Sequence, residues 1–248
     1  MPLLETTGSS SARGLGMFGR RSLKSSNYQA AGTTRVFSLA FAEGSFIPET
    51  GSTTIFGSPV TAVDEAGPVY YATNFLQGGS GAEPTNANAI KMNSQPFLGG
   101  LNYTFIAWYK GTESTAVNPQ WSVSVPIFGD PRGSVYMAFG TEGGKIGIGS
   151  NFVVSGTTSI NNNAWHMLTY VYKSNNRADG YVDNGNLEIS NKSMESSPTN
   201  NIADFIGYGY PYAGVASPSR ISGVQVYSQA LTQAQIQEIY AAEKPFYP

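Results

Sequence analysis

The chain has 248 residues, no cysteine, 12% charged residues and a formal net charge of −2. Without cysteine there are no disulfides and no thiolate metal sites, and no run approaches the ~18 apolar residues of a membrane-spanning helix. The 29 glycines, 14 prolines and 15 tyrosines suit many short strands joined by tight turns, and an apolar content of 40% is enough for one sizeable core.

Residues 1–31 differ from the rest. They are rich in Ser, Gly and Arg and show no periodicity. Arg13, Arg20, Arg21 and Lys24 against Glu5 leave the segment at +3, while residues 32–248 carry −5. A segment of this composition does not fold alone, so it is expected to be an extended N-terminal arm that orders on another protein. Its gripping residues would be Arg13, Leu15, Met17, Phe18, Arg20 and Arg21. Four basic groups with no interleaved aromatics make a poor nucleic-acid arm. The segment also lacks the continuous 7–15-residue apolar core of a signal peptide, so synthesis in a cytoplasm without Sec export is expected. Ser11-Ala12-Arg13-Gly14-Leu15-Gly16 resembles the short Ser-Ala-Arg-Gly-x-Gly leader that opens some bacteriophage virion proteins. That resemblance implies virion proteins as partners, in multiple copies, with neither nucleic acid nor membrane.

From Thr33 the pattern becomes β. Candidate strands are 35–41, 53–56, 59–63, 69–75, 89–92, 103–110, 120–128, 134–139 and 145–154, followed by 202–208 and 220–227. Short strands at this spacing predict an antiparallel two-sheet sandwich filling a single domain, residues 32–248. The chain closes on one short helix. Thr232 and Gln235 form a capping box, Leu231 and Ile236 stand at the hydrophobic-staple positions, and Ile236, Ile239 and Tyr240 make one apolar stripe. Pro245 is expected to stop it.

The most informative block is 161–189. Strand 165–172 would put Trp165, Met167, Thr169 and Val171 on one face and His166, Leu168, Tyr170 and Tyr172 on the other. Both faces are largely apolar, which predicts a central strand covered on both sides. Residues 174–180 read as a turn, and Asn184-Gly185 as the centre of a type I′ hairpin. Trp165-His166 opening an apolar strand, followed by Tyr181-Val182-Asp183-Asn184-Gly185, resembles the laminin-G-like and pentraxin branch of the concanavalin A-like jelly rolls. There the hairpin usually reads Tyr-Val-Asp-Gly, so Asn184 is an insertion. Residues 103–109 and 221–240 resemble that family's early core strand and its closing strand and helix. Together the landmarks span roughly 69–244 and imply a jelly-roll fold, but not a ligand.

Signals for chemistry are few. His166 is the single histidine, and beside a Trp in an apolar strand it reads as a packed structural residue; no nucleophile signature accompanies it. Laminarinase-type members of the superfamily carry alternate acids on one strand. No two acids here lie two apart, so no catalytic residues and no enzyme activity are expected. Relatives of this fold often bind calcium at the sandwich rim. The oxygens available would come from Asp64, Glu65, Asp130, Asp179, Asp183 and Asp204, but no metal site is assigned. Tyr208, Tyr210 and Tyr212, in a Gly/Pro-rich loop, and Trp121 could stack on a glycan or serve a protein interface. The resulting expectation is a bacteriophage virion structural protein, decorating a capsid or forming part of a tail or fibre and anchored by its arm. A lectin-like module for host-surface glycans is the alternative.

Overall fold

The computed structural model describes residues 28–39, 48, 50–56, 60–64, 67–72, 89–93, 101–112, 125–129, 138–150, 152–194, 205–207 and 219–248. In chain order the strands are β1 (Arg35–Leu39), β2 (Thr53–Phe56), β3 (Val60–Asp64), β4 (Gly67–Ala72), β5 (Ala89–Met92), β6 (Tyr103–Lys110), β7 (Val125–Gly129), β8 (Ala138–Glu142), β9 (Lys145–Ser150) and β10 (Phe152–Ser159). They continue with β11 (His166–Lys173), β12 (Arg177–Val182), β13 (Asn186–Ser193), β14 (Phe205–Ile206) and β15 (Ser219–Tyr227), before helix α1 (Gln233–Glu243) and a 3-10 turn (Lys244–Phe246). Among the described residues no helix is long and apolar enough to cross a membrane.

Two antiparallel sheets form the sandwich. The first runs β13-β12-β11-β6-β15-β4-β3, and the second β10-β9-β8-β7-β14-β5-β2. Strand β15 divides its outer edge between two partners. Residues 219–221 pair with β4 and 224–227 pair with β1. The break falls at Gly223, whose φ is +54°. A Cβ there would lie 2.5 Å from the Tyr247 hydroxyl and 2.9 Å from Trp108 Cδ1, so only glycine fits.

The predicted two-sided burial of the central strands is what the fold shows. Leu168, Tyr170 and Tyr172 join the core between the sheets, while Trp165, Met167 and Val171 join a second cluster on the outer face of the first sheet. Between the sheets, Phe139 stacks on Tyr170 at 4.7 Å and Phe105 meets Phe128 edge-on at 5.1 Å. The Tyr170 hydroxyl donates to Gly140 O at 2.9 Å, tying β11 to β8 across the sandwich. Burial raises the pKa of that hydroxyl well above a free tyrosine's, so it stays a donor.

Helix α1 covers the second cluster. Thr232 Oγ1 accepts the Gln235 N–H at 3.3 Å, and Gln235 Oε1 accepts the Thr232 N–H at 3.0 Å, closing the predicted capping box. Ile236 and Ile239 are fully buried, and Leu231 packs beside Ile236. Pro245 ends the α geometry but not the coil, since one 3-10 turn follows.

Several boundaries differ from expectation. Residues 145–154 form the ends of two paired strands, β9 and β10, rather than one. The turn after β11 is only three residues long; β12 begins at Arg177 and β13 runs on to Ser193, because full ladders pair Lys173 with Arg177 and Arg177 with Ser193. The next hairpin is not type I′. Val182 faces Asn186 across a three-residue loop, and positive φ falls on Asp183 (53°) and Gly185 (71°). Asp183 takes the left-handed position because its N–H donates to Met167 O at 2.8 Å and its carboxylate accepts the Met167 N–H at 3.0 Å. Finally, residues 28–31, the last four of the expected arm, lie on the body. Ala30 is buried in the cluster beneath α1, and Ala31 O accepts from Gln235 Nε2 at 3.3 Å. Residues 1–27, with Arg13, Leu15, Met17, Phe18, Arg20 and Arg21, lie outside the described residues.

Candidate functional site

Besides the β2–β3 and β4–β5 connections, three others between the sheets have their ends at one rim of the sandwich. The first leaves β6 after Lys110 and enters β7 at Val125. The second leaves β10 after Ser159 and enters β11 at His166. The third leaves β14 at Gly207, whose N–H donates to Ile127 O at 2.9 Å, and enters β15 at Ser219. Their ends are neighbours: Arg220 faces Lys110 and Tyr109 faces His166 in the first sheet, while Ile206 faces Phe128 in the second. Trp121 lies on the first connection and Tyr208, Tyr210 and Tyr212 on the third. All four are outside the described residues, but the ends that carry them converge.

The middle connection is described in full, and it explains the Trp-His and Tyr-Val-Asp landmarks. Asn162 Oδ1 accepts the Ala164 N–H at 3.0 Å, a local turn typical of Asn. The same oxygen lies 3.0 Å from His166 Nε2, and His166 Nδ1 lies 2.8 Å from Asp183 Oδ2. Each ring nitrogen therefore has a polar partner. Asp183 Oδ1 is also occupied, by the Met167 N–H. Asn163, at φ 59°, donates its N–H to Gly111 O at 3.1 Å, and Gly185 O accepts from Gln233 Nε2 at 2.8 Å. The constellation is a clasp. It joins the start of β11, the β12–β13 hairpin, the end of β6 and the first turn of α1.

Its chemistry follows from its saturation. Both His166 nitrogens are engaged, by Asn162 and Asp183. Two other acids, Asp179 and Glu188, are equally committed. Asp179 holds Lys173 Nζ at 2.5 Å and the Asn191 N–H at 2.7 Å. Glu188 accepts both the N–H and the hydroxyl of Thr157 and of Thr158, so β13 clamps β10 across the open side of the sandwich. Partial burial raises the Glu188 pKa, but these four hydrogen bonds outweigh it and pull it down to about 2. No group of three metal-ligating side chains occurs among the described residues. Asp179 and Asp183 do not fit calcium, because their oxygens are already spent on protein donors. The side chain of Asp64, and Glu65, Asp130 and Asp204 altogether, lie outside the described residues.

One acid was not singled out from the sequence. Glu243 ends α1 and is completely buried. Its carboxylate accepts from Trp108 Nε1 at 2.7 Å and from Gln225 Nε2. The available signal was its spacing: Glu243 stands seven residues after Ile236, on the apolar stripe of the helix.

A two-sheet antiparallel jelly roll with a closing strand and a C-terminal helix defines a class of β-sandwich. The chain belongs to the concanavalin A-like lectin/glucanases superfamily, whose laminin-G family model matches residues 84–237. No curated protein matches the chain. Among solved structures it is similar to domain 4 of AbnA, a GH43 extracellular arabinanase from Geobacillus stearothermophilus, in complex with arabinotriose. The identity is 16% and the TM-score 0.59, over 84% of this chain and 98% of that one. It is also similar to the binding domain of Paraclostridial Mosquitocidal Protein 1 (12%, TM-score 0.61) and to that of botulinum neurotoxin serotype G (14%, TM-score 0.60). The match covers 84% of this chain in both cases, but only 52% and 51% of the toxin domains, so the chain spans about half their length.

Proposed function

We propose that this chain is a carbohydrate-binding β-sandwich that acts by docking rather than by covalent chemistry. The carrying observation is that the described ends of the two connections that bear Trp121 and Tyr208, Tyr210 and Tyr212 meet at one rim. Aromatic rings on neighbouring connections offer apolar faces for sugar rings and polar tips for hydroxyls. The His166–Asp183 clasp ties the described strand ends at this rim together by hydrogen bonds. Overlap with nearly the whole of an arabinanase domain solved with arabinotriose supports the same reading. Glycan-array screening of the full chain, with arabino-oligosaccharides and sialylated glycans included, tests it. Binding that falls at least tenfold in the Tyr208→Ala/Tyr210→Ala/Tyr212→Ala variant is expected; unchanged binding rejects this rim.

A second feature favours a setting for that docking. The Ser-Ala-Arg-Gly-x-Gly motif and the basic, Gly/Ser-rich composition of residues 1–27 support attachment to a bacteriophage particle. There, repeated copies would multiply weak glycan contacts. Removing residues 1–27 is expected to abolish incorporation into particles while leaving glycan binding intact. Normal incorporation of the truncated chain defeats the virion assignment alone.

A further inference from the structure

The cluster beneath α1 contains a charge problem. Glu243 sits with no exposed surface, at the C-terminal end of a helix, where the backbone dipole already concentrates negative charge. Its two hydrogen-bond donors, the Trp108 indole and the Gln225 amide, are neutral. No cation forms an ion pair with it among the described residues. The titratable groups around it come from five elements. Strand β15 presents Tyr227, whose hydroxyl donates to Gln225 Oε1 at 2.6 Å. The C-terminal tail presents Tyr247, its hydroxyl 3.2 Å from Ser222 Oγ, and β1 contributes the more distant charge of Arg35. On α1 itself Tyr240 lies across the Trp108 ring at 5.7 Å, and β6 offers that indole and, on the same face, Lys110, whose ammonium stands 6.0 Å from the centre of the Trp165 ring. Burial and the Glu243 charge both raise the two tyrosines' pKa values, so neither supplies a countercharge.

We propose that Glu243 is a proton-operated latch for the ends of the chain. With its carboxyl neutral, the last turn of α1, the tail at 244–248 and the segment at 28–34 stay seated on the first sheet; with it ionised, they loosen together. These pieces move as one because they share a cluster. Tyr247 stacks on Trp108 at 4.1 Å, Ala30 and Tyr28 pack among the same side chains, and Tyr28 donates to Glu238 of the helix. The latch therefore controls the root from which residues 1–27 depart. Burial raises the Glu243 pKa most; the Trp108 and Gln225 hydrogen bonds and the Arg35 charge pull it back only to about 7. A carboxyl raised in the folded state holds its full stabilising effect below its ordinary range and loses it as pH climbs through that value.

Hydrogen–deuterium exchange of the full chain at pH 5.5 and pH 8.5, corrected for intrinsic rates, tests the latch. Protection of residues 239–247 and 28–34 is expected to fall about tenfold or more at the higher pH, one pKa unit being a factor of ten. In Glu243→Gln, which keeps volume and neutrality, the two pH values should give equal protection. An equal loss in wild type and Glu243→Gln overturns the proposal, as does a pH-independent wild type. Should the variant not fold, carbon NMR of the Glu243 carboxyl decides: a midpoint above pH 6 supports the latch, and one in the ordinary glutamate range removes it.

Discussion

The two faces of the first sheet are packed by different means. Toward the second sheet, Phe105, Phe128, Phe139 and Tyr170 fill the gap with rings, and the Tyr170 hydroxyl finds a backbone carbonyl. Beneath α1, rings are equally dense, but they enclose a carboxylate, an amide and three hydroxyls, on Glu243, Gln225, Ser222, Tyr227 and Tyr247. The first region depends on volume and apolar area, which do not change with pH. The second depends on a proton count. A fold can thus hold its architecture in one layer and leave adjustable behaviour to the other.

The sharpest way to break this contrast is to empty the inter-sheet core. Phe105→Ala should cost about 3–5 kcal/mol in chemical denaturation, by the same amount at pH 5 and pH 8. A cost that changed strongly with pH would mean the two layers are not independent. Next in size is the proton linkage itself. Wild-type stability should decline by up to about 3 kcal/mol as pH rises from the ordinary glutamate range through 7, and the decline should vanish in Glu243→Gln. Thr232→Ala, which removes the cap of α1, should cost only about 1 kcal/mol. It should loosen the helix start without altering the pH response, because the cap is exposed and lies at the opposite end of α1 from Glu243.

Much of the architecture was readable in the chain because local chemistry and tertiary placement agree. The alternation from Trp165 to Tyr172 specified a strand buried on both faces, and both faces are buried. Thr232 and Gln235 marked the helix start, and the capping box is there. Agreement fails where partners distant in sequence decide. Asn184-Gly185 carries the best local turn signal, yet Met167 holds Asp183 in the left-handed position and shifts the turn by one residue. Residues 177–180 and 190–193 contain turn-forming types, but the ladders between β11, β12 and β13 extend them.

The candidate site divides in the same way. The burial of His166 was legible from its apolar surroundings; its partner Asn162 was not, because a local turn folds that side chain back onto the ring. Periodicity and composition by themselves determined the class of fold, the covered central strand and the closing helix, since each is written in residues a few positions apart. The tertiary structure alone decided that the ends of several sheet-to-sheet connections share one rim, that Glu188 clamps two edge strands, and that Glu243 loses its water. Those outcomes depend on which surfaces meet after the sheets close, and that pairing is set by residues far apart in the chain.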